Sequence, residues 1–348
     1  MAGGALRRGF DRLLDRRLKG LNAAELPAED RLDAFMRFGD HSLAYSASVQ
    51  PLHAWGGRDG FIAYGRLMGQ AVALGDPIAP IEARAGLLKS FIAAAGRPSF
   101  AEVSPDVARL LAGFGYRATQ MGVDTRLDLQ RHDFSGGKGK ALRYAERWLK
   151  TNGFGLGEME EFPGLDGTVA EMSRRWREGR IVKRREMAFL NRGFPKKPEP
   201  LMRRFVLVDP EGRLNCLLFM DPIARDGEVI GYMTSFKRRA PDASAHAEMG
   251  LTKFAVERLK EEGREKLMLG LSPLLDLRPS GFPESRAFRA LLQALYASDL
   301  VNRRVFNVQG HAAFKRRFHG KEEPRYFAWA KGSPLLPFLA TLRLSKAF

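Results

Sequence analysis

What most constrains this chain is the order of its strand-like and helix-like segments, because the same order occurs twice. Residues 60–75 read as two short strands broken near Gly69, and Gly75-Asp76-Pro77 turns into a helix over 81–95. A strand at 98–103, a helix at 105–113 and a long β-like run at 116–129 follow. A helix over 138–151 ends at Asn152-Gly153. The second pass has strands at 203–208, 213–220 and 227–236, a helix at 246–262, a strand at 266–271, helices near 284–298 and 309–317, and a strand at 325–330. Antiparallel strands, helix, strand, helix, strand, repeated, predicts an α/β protein of mixed sheets with two tandem lobes. The expected division is a basic amphipathic helix over 1–25, a first lobe over 26–137 and a connecting helix over 138–153. A second lobe over 154–332 and a tail over 333–348 complete it.

A length of 348 residues also suits two lobes rather than one core. Hydrophobic residues make up 45 %, which supports a packed interior and excludes a disordered polycation. The single cysteine, Cys216, excludes an intramolecular disulfide and a cysteine-rich zinc site, and it lies in an apolar run that marks it as core. The formal charge is +17, and three stretches carry all of the excess: 1–20 (net +4), 171–205 (net +8) and 301–331 (net +6). Clustered cations predict an anionic partner: nucleic acid, a membrane surface or a phosphorylated substrate.

No run approaches the roughly 20 apolar residues of a spanning helix. In residues 1–21, Leu6, Phe10, Leu13, Leu14, Leu18 and Leu21 fall at helical spacing, with arginines and Lys19 on the other face. Such a helix either lies in a membrane interface or packs on its own domain. The glycine-rich run 135–140 opens a helix and could hold a phosphate, though a linker fits its composition better. Around Trp176 the basic density suits either phosphates or solubility. Phe314 and Phe318 share a helix face among Lys315, Arg316 and Arg317, which suits RNA or, equally, rings in the core with a solvated basic face. Ser272 and Asp276 follow a strand end, where α/β folds bind ligands, although a plain turn reads the same. Phosphate-loop, HExxH, GxSxG and CxxC signatures are lacking, and the six histidines show no metal-ligand spacing, so no metal is expected.

Several segments, in order over about residues 40–330, resemble one family. They are Val72 to Pro77, Gly115 to Arg117 leading to Leu127 to Leu129, Phe134 to Lys138 with Leu142-Arg143, and Lys183 to Phe189 with Glu186. Then come Leu269 to Leu274, Phe306 to Gly310, Phe314-Lys315 with Phe318, and Pro324 to Tyr326. The chain is similar to the cytosolic catalytic domain of bacterial multiple peptide resistance factor proteins, the aminoacyl-phosphatidylglycerol synthases. The resemblance implies two GNAT-like acyltransferase lobes with a tunnel between them. It also implies transfer of an aminoacyl group from a charged tRNA to phosphatidylglycerol. Three departures stand out. The family's multi-span flippase has no counterpart here, so lipid flipping is not implied. The acid of its Asp-Leu-Met-Arg motif is replaced by Ser235 while the arginine is kept as Arg238, so lysine as the transferred group is not implied. The run before Pro324-Arg325-Tyr326 lacks the family's aromatic residue.

Acyl transfer between oxygens needs alignment, removal of a proton from the attacking oxygen and stabilisation of an oxyanion. On the resemblance, Arg238 and Lys315 are expected near the acceptor phosphate or the terminal adenosine, with Arg325 and Tyr326 lining the same cavity. Ser235, Ser272 and Asp276 are expected to contact substrate. Asp76 either orders a turn or joins the site. No general base stands out, with Glu248 and His246 as candidates and substrate-assisted proton transfer as an equal alternative. The expected partners are tRNA and an anionic membrane, with the protein peripheral on the inner face of the cell membrane and no cofactor beyond the acyl donor. Two other classes remain open: an N- or O-acyltransferase using acyl-CoA or acyl carrier protein on a lipid or small amine, and a non-catalytic RNA- or membrane-binding protein. The coenzyme A signature R/Q-x-x-G-x-G/A is not evident.

Overall fold

Strands buried on both faces read as apolar runs, as Phe205–Val208 and Cys216–Met220 do here, whereas the two central strands, Arg117–Asp128 and Lys321–Trp329, carry charged residues along their length. A computed structural model describes residue 21 and residues 25–179, 186–195, 197–304 and 307–347. After helices α1 (Ala28–Phe38) and α2 (Ala44–Val49), strands β1 (His53–Gly57), β2 (Gly60–Leu67) and β3 (Gln70–Leu74) form an antiparallel meander. Helix α3 (Ile81–Ala95) crosses over to β4 (Ser99–Val103), which lies parallel to β3. Helix α4 (Pro105–Gly113) starts at Ser104, whose side chain accepts from the Val107 amide, with Pro105 in the first turn. Strand β5 (Arg117–Asp128) and helix α5 (Lys140–Thr151) follow.

The second pass repeats the plan. Strand β6 (Gly155–Glu158) and helix α6 (Asp166–Glu178) precede a meander of β7 (Arg203–Val208), β8 (Leu214–Arg225) and β9 (Glu228–Arg239). Helix α7 (Ala247–Glu261) crosses over to β10 (Lys266–Pro273), parallel to β9. Helices α8 (Arg286–Ala297), α9 (Asp299–Arg304) and α10 (Val308–Arg316) lead to β11 (Lys321–Trp329), and α11 (Leu335–Leu344) closes the chain.

All eleven strands form one sheet in the order β1-β2-β3-β4-β11-β5-β10-β9-β8-β7-β6. The final strand of each pass has therefore crossed to the other: β5 pairs with β10, β11 pairs with β4, and the two pair with each other at the centre. The repeat read from the sequence is present, but the segments 26–137 and 154–332 interlock rather than follow one another as separate blocks.

The helices cover both faces of the sheet. Residues of α1, α2 and α11 join a core with Phe61, Ala63, Phe327 and Trp329, while α3 and α4 cover the opposite face over Tyr64, Phe91, Phe100 and Tyr116. Within the expected 333–348 tail, α11 lies on β2 with Leu344 against Gly65. Helix α5 packs into the second half's core with Leu142 and Leu149 beside Leu251, and Leu149 closes onto Gly250 of α7. The expected 1–25 helix lies outside the described residues apart from Leu21, which is buried under the α3 face, and Glu25.

Candidate active site

The two outer pairings of the central strands carry matching β-bulges. On β4, Ala101 and Glu102 stand against the single residue Phe327 of β11. On β10, Leu269 and Gly270 stand against the single residue Thr125 of β5. Each bulge has one residue in the left-handed region, Glu102 with φ of 63° and Gly270 with φ of 78°. Gly270 is the residue type a bulge of this kind prefers, and Glu102 is the same position filled by a side chain. Between them β5 passes so close to β10 that a Cβ on Gly122 would meet the Ser272 carbonyl oxygen.

Four charged side chains converge beside this seam. Asp124 of β5 is 0 % exposed, and neither of its oxygens accepts a hydrogen bond from the described residues. Arg325 of β11, 6 % exposed, reaches to 3.6 Å from Asp124 and 3.7 Å from Glu323. Glu102, 5 % exposed, and Lys315 of α10 complete the group. The Lys315 ammonium donates to the Gly270 and Leu271 carbonyls, both at 2.7 Å. Strands β9 and β10 pair only over Gly231–Met233 and Lys266–Met268, and α10 lies against β10 beyond that point. There Phe314 sits under Lys237, whose ammonium is 3.1 Å from the ring centre.

Burial and the neighbouring Asp124 push the Glu102 carboxyl up to about 8, against the pull of Arg325 and Lys315. Burial pushes Lys315 down to about 8, with Asp124 opposing that shift. Burial also works against the charge on Arg325, but Asp124, Asp76, Glu102 and Glu323 hold its guanidinium above the usual arginine value. Glu102 and Lys315 thus titrate in each other's field and in the fields of Asp124 and Arg325.

The expected site residues divide. Lys315 and Arg325 come together. Arg238 lies on the other face of β9 from Lys237, because neighbours in a strand point to opposite sides. Its guanidinium packs over Phe194 and Trp176 and donates to both Glu186 oxygens at 3.0 Å. It does not share a site with Lys315. Ser235 is half-buried on the Lys237 side, its hydroxyl donating to the Met233 carbonyl. Tyr326 is drawn into the apolar core over Phe282 and beside Phe100 and Tyr116, rather than lining a cavity with Arg325. Asp76 accepts from the Ser104 amide at 2.8 Å and so ties the β3 turn to the start of α4. Ser272 is fully buried beside Gly122, and its hydroxyl has no partner among the described residues. Asp276 turns outward to Arg278, its carbonyl accepting from Gln120. Glu248 is held between Lys237 at 3.0 Å and Arg239 at 3.7 Å, and His246 is packed against Tyr144 and Trp148.

Other expectations resolve through packing. Cys216 and Phe318 are core residues. Most described arginines of 171–205 are neutralised inside the protein: Arg174 by Glu171 and Glu178, Arg177 by Glu186, Arg192 by Asp221 and Glu199, and Arg203 and Arg204 by two acids each. Among the described residues, those arginines are therefore not free cations; the stretch's Arg180, Lys183, Arg184, Arg185 and Lys196 lie outside the described residues. In the glycine-rich run, Arg143 donates to the Phe134 and Gly136 carbonyls, which makes it a closed turn.

Glu102 and Asp124 were not singled out from the sequence. The available signal was an acid inside a strand that is otherwise buried throughout, a choice that carries a desolvation cost and so asks for a reason.

A duplicated α/β unit with exchanged central strands and a buried acid–base cluster at the seam defines the class: a two-lobed domain whose site is shared between its halves. The chain belongs to the family of the phosphatidylglycerol lysyltransferase C-terminal domain, which matches residues 33–329. It is 22 % identical over 333 residues to a phosphatidylglycerol lysyltransferase of Bacillus subtilis (strain 168), covering 91 % of this chain and 37 % of that protein's length. Among solved structures, a domain described as the C-terminal part of a lysylphosphatidylglycerol synthetase from Agrobacterium fabrum superposes with a TM-score of 0.75 at 24 % identity. That match covers 92 % of this chain and 98 % of the other. L-PGS from Bacillus licheniformis also gives 0.75, at 19 % identity and coverages of 94 % and 98 %. FemX gives 0.54 at 9 % identity, over 92 % of this chain and 100 % of that one.

Proposed function

We propose that this protein moves an aminoacyl group from the terminal ribose ester of an aminoacyl-tRNA to the glycerol hydroxyl of phosphatidylglycerol. Family membership and the relative's name supply the reaction type. The observation that carries the site is the pairing of Lys315 and Arg325 with Glu102 and Asp124 at the seam. An ammonium has three N–H donors, and Lys315 uses two on backbone carbonyls. The third is available to the ester oxygen as negative charge develops there, in a setting too dry for water to do the same work. Arg325 offers a second fixed cation for a phosphate-bearing substrate.

The acceptor is a bilayer lipid on this reading, so the protein has to meet a membrane surface. Helix α11 supports that contact. Leu335 (55 % exposed), Leu336 and Leu339 stand out from it. Lys331, Arg343 and Lys346 are the only charges over 331–347, and all three are positive. An apolar ridge flanked by cations suits an anionic interface. Among the described residues no helix is long and apolar enough to cross a membrane.

The test is transfer of labelled amino acid from charged tRNA to phosphatidylglycerol vesicles, with the lipid product identified by mass. Activity that survives complete ribonuclease digestion of the tRNA excludes a tRNA donor. The same mass names the transferred group, which Ser235 in place of an acid leaves unspecified.

A further inference from the structure

We infer that Glu102 is the general base of this site, taking the proton from the attacking hydroxyl and returning it to the departing ribose oxygen. The inference rests on the transfer proposed above. Three independent observations point to Glu102.

The first is the repeat. The bulges on β4 and β10 are built alike, and where one has Gly270 the other has Glu102, both with positive φ. A side chain held in the left-handed region is strained, and strain of this kind gathers at functional sites. Nothing in the pairing of β4 with β11 requires a carboxylate there, because the second half closes the same bulge without one.

The second is the absence of partners. Among the described residues no hydrogen bond or ion pair reaches the Glu102 carboxyl, although it is almost wholly buried. A carboxyl that no described side chain or backbone group engages is free to meet a substrate hydroxyl. The neighbouring Asp124 also accepts no hydrogen bond.

The third is the electrostatic setting. The charged groups facing Glu102 are Asp124 from β5, Arg325 from β11 and Lys315 from α10. Burial and Asp124 raise the carboxyl to about 8, close to working pH, where a base both accepts and releases a proton readily. Of the earlier candidates, Glu248 is held by two cations, and His246, though its Nδ1 has no partner among the described residues, packs against Tyr144 and Trp148 and not among these charges.

The step balances without a further reagent. The acceptor O–H bond breaks as its proton passes to Glu102, and the oxygen attacks the aminoacyl carbonyl carbon to form the new C–O bond. The tetrahedral oxyanion faces Lys315. As the intermediate collapses, the bond to the ribose oxygen breaks and Glu102 gives that oxygen the proton.

The experiment uses the full chain with aminoacyl-tRNA and phosphatidylglycerol, comparing wild type, Glu102→Gln and Glu102→Asp from neutral to mildly alkaline pH. Glu102→Gln is expected to lower kcat by about 10²–10⁴-fold, with KM for either substrate changed less than about threefold. Wild-type kcat is expected to peak near pH 8, rising as Glu102 gives up its proton and falling as Lys315 does, and the residual Glu102→Gln activity lacks the rising limb. Glu102→Asp is expected to restore part of the rate. A Glu102→Gln enzyme within about threefold of wild type overturns the inference. So does a slow one that keeps the rising limb, since that is what a merely structural role produces. Wild type that acylates no lipid overturns both the inference and the reading on which it rests. An active wild type with an equally active variant removes the inference alone.

Discussion

Replacing Glu102 by glutamine changes stability in a way that depends on pH, and the size follows from the site. The carboxyl is raised from 4.5 to about 8 on folding. The folded protein therefore holds this proton more tightly than the unfolded chain, and between those two values stability falls as pH rises. Each pH unit across that window is worth about 1.4 kcal/mol. From about pH 5 to about pH 7.5 the wild type loses roughly 3 kcal/mol through this residue alone. Glutamine keeps the shape and cannot titrate. The other groups titrate in both proteins, so the difference between the two reads residue 102 together with its coupling to Lys315 and Arg325. The assay is urea unfolding followed by tryptophan fluorescence at the two pH values, with the gap between variant and wild type compared. Glu102→Gln should gain about 3 kcal/mol on wild type over this interval. Lys315 begins to lose its proton at the upper pH, but it does so in both proteins. A gap that changes by less than about 1 kcal/mol would refute the reasoning, because Glu102 would then ionise in the folded protein much as it does in water.

Three further outcomes are expected. Lys315→Ala should abolish transfer and, by leaving the Gly270 and Leu271 carbonyls without their donor, cost about 1–3 kcal/mol in urea unfolding while circular dichroism stays native. Full activity in that variant removes Lys315 from the mechanism. Arg192→Met should destabilise by about 3–5 kcal/mol, because Asp221 is completely buried and loses hydrogen bonds of 2.9 and 2.6 Å. A loss below about 1 kcal/mol would show that Asp221 finds another partner or a proton. Replacing Leu335, Leu336 and Leu339 together by glutamine should weaken flotation with phosphatidylglycerol vesicles by roughly a hundredfold with little change in melting temperature, since all three are exposed. Unchanged flotation assigns the membrane contact elsewhere.

The sequence showed this architecture where burial leaves a one-dimensional trace. Apolar runs such as Cys216 to Met220 mark strands covered on both faces, and Ser104 with Pro105 marks a helix start. Short β1, with Gly56 and Gly57, leaves no such trace, and neither does α11, whose Leu335 to Leu344 run has no polar face to show a helical period. The exchange of β5 and β11 was invisible for a different reason. Both are antiparallel neighbours of a parallel strand, so their alternation is satisfied by either partner, and only three-dimensional closure selects between them. The same reason hid the site. Lys315 and Arg325 were reached through motif order, while Glu102 and Asp124 became visible only when the exchange set β11 between β4 and β5.

That exchange also bears on how the site is made. Glu102 and Asp124 belong to the first pass of the chain, and Lys315 and Arg325 to the second. Were each pass to keep its own final strand, the first would bury two carboxylates without a cation beside them, and in the second Arg325 would keep only Glu323 of its own strand. Either arrangement is costly, since an uncompensated buried charge either destabilises the fold or gives up its ionisation. Crossing β5 and β11 supplies each sign with the other, with Arg325 beside Asp124 and Lys315 within electrostatic reach of Glu102. The cations of the 301–331 stretch that looked from the sequence like an interface for a polyanion are, at Arg325 and Lys315, first of all partners for the acids of the other half. On the proposed mechanism, what acids and cations leave incomplete, the Glu102 carboxyl and the third N–H of Lys315, is what meets substrate. A site assembled this way exists only when both halves have folded onto each other.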